Sequence, residues 1–98
     1  MEFIPRQITL AVSTTVIEVS PETGIRQRLA ISLANASAGA QIIYLAWGQN
    51  AAVGSGIALR PGASWVEAID QAFHPSNLRI TVIADNAGAV LAVHERLG

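Results

Sequence analysis

The chain contains no cysteine and no lysine, only five aromatic residues outside histidine, and few charges. The missing cysteines exclude disulfides and thiolate metal sites and leave the redox compartment open. All six basic side chains are arginines, at positions 6, 26, 28, 60, 79 and 96. Arginine suits planar, bidentate contacts at interfaces, although an alanine- and glycine-rich chain also gains arginine at the expense of lysine through a GC-rich genome. With a formal net charge of −1 and 13% charged residues, the chain lacks the basic footprint that nucleic acid demands. There is no apolar run long enough to cross a membrane as a helix. Glu2 in MEFIPRQITLAV also argues against a secretory signal.

What is present is apolar: 51% of the 98 residues are hydrophobic, in a length that makes one domain. Much of the excess is alanine. Small domains bury a limited fraction of their surface, so leftover apolar surface points to a partner, either further copies of the chain or something larger.

Period-2 alternation runs through the chain. Ile8, Leu10 and Val12 alternate with Thr9 and Ala11, and Val16 to Val19 forms a second short run. Ile25, Gln27, Leu29, Ile31 and Leu33 line one strand face, with Arg26, Arg28, Ala30 and Ser32 on the other. Around Ile43, Leu45 and Trp47 both faces are apolar, the mark of a central or covered strand. Ile57–Leu59 is followed by a Pro61-Gly62 turn into Trp65 to Asp70. Leu78, Ile80, Val82 and Ala84 form another face, and Asp85-Asn86-Ala87-Gly88 predicts a hairpin into Val90 to Glu95. No segment carries a helical stripe free of breakers. Seven or eight short strands at regular spacing predict a small all-β, antiparallel sandwich or jelly-roll-like barrel. It would span residues 1–98 as one domain, with 1–6 as a possible N-terminal arm. Phe3 and Ile4 in that segment suit an arm docked on a partner, and equally a strand extension or a frayed end.

Candidate chemistry is thin. Gly54-Ser55-Gly56 lacks the third glycine, the lysine and the helix of a phosphate loop, so these glycines are read as bends. Pro61 and Gly62 fit positions i+1 and i+2 of a type II turn. His74 lies in a loop and His94 in the last strand, without a third donor at metal-site spacing. The serines lack a G-x-S-x-G context. Glu67, Asp70, Asp85 and Glu95 are scattered along the chain, although a pair could still meet in space. Asn35-Ala36-Ser37 fits the glycosylation pattern but is read as an ordinary turn. The chain is therefore expected to be no enzyme, with no catalytic, cofactor or metal residues. Tyr44, Trp47 and Trp65 are the candidates for a ligand face built on exposed rings. The alternation of the tryptophans with Ile43, Leu45 and Ile69 favours packing in the core instead.

One pattern goes beyond periodicity. Arg28 to Ser37 (RLAISLANAS) is followed by Ile43-Tyr44-Leu45, then Gly56 to Ser64 (GIALRPGAS) and the closing strand Val90 to Glu95. Over about residues 28–95 this resembles the small β-sandwich domains of tailed-phage virion proteins, the capsid decoration and head-fibre-base type. The shared motifs are turn and core residues. The resemblance implies a structural virion protein on the particle surface, made in the host cytoplasm: a capsid decoration (cement) or head-associated protein. It implies a homo-oligomer, first of all a trimer, that contacts a major capsid or other virion protein, with neither nucleic acid nor membrane as partner. Partner contacts are then expected from Phe3, Ile4 and Arg6 in the arm and from Arg26 and Arg28 on one strand face. The alternative is a glycan- or host-surface-binding module of a phage tail or fibre, using Tyr44, Trp47 or Trp65.

Overall fold

A computed structural model describes residues 4–21, 27–68 and 75–98. Alternating apolar residues pull one face of each strand into a core, and eight strands result among the described residues. These are β1 (Ile4–Val12), β2 (Ile17–Ser20), β3 (Arg28–Asn35), β4 (Ile43–Trp47), β5 (Ile57–Leu59), β6 (Ser64–Ala68), β7 (Ile80–Ala84) and β8 (Ala89–Leu97). No helix forms among these residues, as the absence of a 3.6-residue stripe requires.

The strands make two four-stranded sheets, ordered β1-β8-β3-β6 and β2-β7-β4-β5, with antiparallel pairing throughout. First pairs with last, second with seventh, third with sixth and fourth with fifth. The chain is thus a long antiparallel ribbon rolled so that β8 also meets β3 and β7 meets β4. This is the double-sheet jelly roll. It corrects one local expectation. Asp85 to Gly88 does not close a hairpin, because β7 and β8 lie in different sheets. The same holds for the Pro61-Gly62 turn between β5 and β6, and β4–β5 alone joins sequence neighbours within a sheet. Turn residues specify a reversal of the chain. Whether the two arms pair or arch across the core is decided by which faces must be buried.

The core between the sheets is formed by Val12, Ile31, Leu33, Ile43, Leu45, Leu59, Ile80, Val82, Ala84, Leu91 and Val93, with Val19 and Ala89. Ile80, Val82 and Ala84 point inward as the alternation predicts, whereas Leu78 lies before β7 and is 49% exposed. β4 lies between β7 and β5, and Ala46 on its outer side is buried as well as Ile43 and Leu45 on its inner side, in keeping with its two apolar faces. Trp47 and Trp65 both pack against the core, their rings edge to face at 6.4 Å.

Turn chemistry behaves as the residues demand. Ala63 N–H donates to Arg60 O at 2.9 Å, and Gly62 takes φ +85°, as position i+2 of a type II turn requires. In the other glycine pair, Gly56 has φ +80°, and a Cβ there would lie 2.5 Å from Leu45 O. Gly56 is therefore a bend held against the sheet, as its glycine pair is read.

Candidate functional site

The chemistry-bearing side chains fall into two groups, one inside the sandwich and one on an outer face. Inside, the first residue of β3 is decisive. Alternation with Leu29, Ile31 and Leu33 places Arg28 on the polar face. A register shift between Arg28 and Ala30 against β8 reverses that parity at the start of the strand. Arg28 is wholly buried. This corrects the expectation that it offers a surface contact.

Every guanidinium N–H of Arg28 finds an acceptor. Nε donates to Glu95 Oε2 at 2.7 Å. One terminal nitrogen donates to Ser76 O and to Leu78 O. The other donates to Ser20 Oγ at 2.8 Å and Pro21 O at 3.3 Å. Ser20 Oγ–H in turn donates to Glu95 Oε2 at 2.6 Å, and Arg28 N–H donates to Asn77 Oδ1. One side chain thereby ties the end of β2, the segment before β7, and β8. An ion pair this deep is tolerated because the guanidinium protons and Glu95 Oε2 exchange water for partners inside the protein. Glu95 continues the inward row Ala89, Leu91, Val93 of β8. That parity was legible in the sequence. Its pairing with Arg28 was not, since it depends on the bulge.

Outside, alternate residues of β1, β8, β3 and β6 form a flat surface. Registers place Gln7, His94, Ser32 and Val66 in one row, and Thr9, Ala92, Ala34 and Ser64 in the next. Apart from Gln7 and His94, these side chains are small. Two shallow depressions flank Ser32 and His94. The larger, between β3, β6 and β8, has a volume of about 210 Å³. Small-molecule sites usually enclose about 300–1,000 Å³, so this surface offers a flat contact and no pocket of that class. No cluster of three metal-ligating side chains occurs among the described residues.

The outer face of the other sheet is different. The segment following β4 folds back on it: Thr81 Oγ1–H donates to Gln49 O at 2.7 Å and accepts from Ala51 N–H at 2.9 Å. Gly48 N–H donates to Arg79 O and Arg79 to Asn50 Oδ1. Thr81, Ala46 and Ala51 are consequently buried although they lie outside the core.

No protein-family model and no curated protein matches this chain in sequence.

The remaining expected site residues are dispersed. Ile4 and Arg6 belong to β1, paired with Leu97 and Glu95 of β8. Backbone pairing of β1 with β8 begins at Ile4. Phe3, Arg26, Asp70 and His74 lie outside the described residues. Tyr44 sits on the outward side of β4, opposite Ile83 and Ala58, whereas Trp47 and Trp65 face the core. The three aromatics do not form one ligand face. Trp65 Nε1–H donates to Glu67 Oε2 at 3.2 Å, which gives the inward Glu67 an internal partner. Asn35 is buried, its amide donating to Gln41 O and Leu59 O, both at 2.8 Å, and its Oδ1 accepting from Ser37 N–H. Asn35 was expected to open a turn; it is instead the last residue of β3, and its amide is engaged inside the protein.

Proposed function

We propose that this chain is a non-catalytic structural protein of a tailed phage or phage-like particle, a capsid decoration (cement) or head-associated protein on the virion surface. It works as a homo-oligomer against a major capsid or other virion protein. The observation that carries the reading is the strand order, because the double-sheet jelly roll is an architecture of viral capsid and lectin domains. The warrant is analogy of fold, and function resides in sites grafted onto folds. A second observation supports it. The stretches behind the resemblance, distant in sequence, meet in one joint: Asn35 N–H donates to Ala63 O, Gly62 N–H to Asn35 O, and the Asn35 amide to Leu59 O.

For the glycan-binding alternative, Tyr44 is the aromatic on an outward face, while Trp47 and Trp65 pack against the core. The mechanism proposed is burial of flat, small-residue surface across subunit junctions, which stabilises the assembled state by mass action. The test is to purify particles by density gradient from a culture of the source and quantify the chain by mass spectrometry. The expected result is co-fractionation at a constant ratio to the main coat protein. Recovery of the chain solely from the soluble fraction would overturn the reading.

A further inference from the structure

Each sheet has two edges, and the four edge strands are not alike. A free edge presents unpaired N–H and C=O groups that template pairing with another strand, and proteins blunt such edges with short strands, bulges or inward charges. β5 has three residues. β2 has four and a register shift between Glu18 and Ser20. β6 has five and carries the inward-facing Glu67. β1 carries Pro5 and Arg6 near its start and none of these devices from Gln7 to Val12. It runs nine residues with unbroken register against β8, and beyond Pro5 and Arg6 its sequence, QITLAV, has neither a charge nor a proline. Among the described residues, no hydrogen bond reaches β1 from the side away from β8.

The two mouths of the sandwich differ in the same way. On the β5–β6 side the Trp47–Trp65 pair packs across the gap. On the β1–β2 side Ile8, Leu10 and Ile17 are half-buried, while Leu91 and Val93 beside them on β8 are fully buried.

We infer that β1 is a self-pairing edge: a second copy of this chain adds antiparallel to it across a two-fold axis, making one continuous eight-stranded sheet from two four-stranded ones. The sequence of the strand selects the occupant and the register. Pro5 has no N–H to give, so the longest ladder that leaves it out runs from Arg6 to Val12 and centres on Thr9. Thr9 then faces its own copy, Gln7 faces Ala11, Ile8 faces Leu10, and Arg6 faces Val12. No like charges meet, threonine opposite threonine is a favourable cross-strand pair, and Ile8 and Leu10 extend both cores across the seam. A foreign strand would need the same uncharged, alternating pattern, which this chain already supplies.

This rests on the homo-oligomer part of the proposed function and requires no particle, so the two can fail separately. The experiment is sedimentation or light scattering of the full purified chain over a wide concentration range. The expected mass is twice the 10.3 kDa of one chain, with slowed amide exchange at alternate β1 residues that reverses on dilution. Thr9→Lys places two ammonium groups opposite each other at an exposed position and is expected to return the mass to that of one chain, with the circular dichroism unchanged. The double variant Gln7→Lys/Ala11→Glu places opposite charges across the axis and keeps the dimer. A monomer at all concentrations, a trimer, or a dimer indifferent to Thr9→Lys would overturn the inference. None of these would affect co-fractionation with particles.

Discussion

The two ends of β3 are both buried polar latches, and they solve the same problem with different chemistry. At the start of the strand, Arg28 holds β2, β8 and the approach to β7 with a charged group whose counter-ion, Glu95, is also buried. At its end, Asn35 holds the connection to β4, the last residue of β5 and the turn into β6 with a neutral amide and its own backbone. A buried ion pair recovers in the interior roughly what both ions lose in hydration, so its presence is weak support for stability, yet removing one partner strands the other. A buried amide risks less in either direction. The sandwich is therefore closed at one end by a latch that is costly to break halfway and at the other by one that weakens gradually.

The largest expected effect follows from that asymmetry. Arg28→Ala leaves Glu95 buried without its cation and should destabilise the fold by roughly 3–5 kcal/mol, read as a fall in the urea midpoint at unchanged slope. Replacing the pair together, Arg28→Met with Glu95→Leu, should lose clearly less than the single variant. An equal or larger loss would mean the charged latch contributes net stability. Next comes Asn35→Ala. It leaves Gln41 O, Leu59 O and Ser37 N–H without their partner and should lower stability by about 1–3 kcal/mol, with faster amide exchange confined to the Asn35 end. If exchange rose equally at the Arg28 end, the two latches would be one cooperative unit. The smallest effect is expected for Ser37→Ala, which removes the single 2.9 Å bond from Val90 N–H to Ser37 Oγ at about 1 kcal/mol. A loss as large as that of Asn35→Ala would show the connection to β4 carrying the latch.

Much of the scaffold was legible in the residues. Alternation at Ile31 and Leu33, at Ile43 and Leu45, and at Ile80, Val82 and Ala84 marks faces that are all buried in the structure. Hydrophobic period is a local property dictated by the pleat, so it survives without knowledge of partners. Turn chemistry at Pro61-Gly62 was readable for the same reason. The position of Arg28 was not, because a bulge inserts one residue against β8 and reverses the face on which Arg28 lies. A bulge is a relation between two strands and leaves no mark in either alone. The candidate partner surface fared similarly. Apolar excess suggested an interface, but Val53, Val66 and Leu78, the exposed large hydrophobics among the described residues, belong to three different segments. The distinctive feature of β1 among the four edge strands is its length and unbroken register, which composition does not report.

The sequence by itself determined that this chain is all-β, where its strands lie, which of their faces are apolar and where the backbone reverses, because these follow from side-chain alternation and the φ preferences of proline and glycine. Tertiary structure alone decided that β7 and β8 part into different sheets, that Arg28 and Glu95 meet in the interior, and that the segment after β4 folds back on one outer face. Each of these depends on contacts between residues far apart in the chain, and burial is settled when the sheets close.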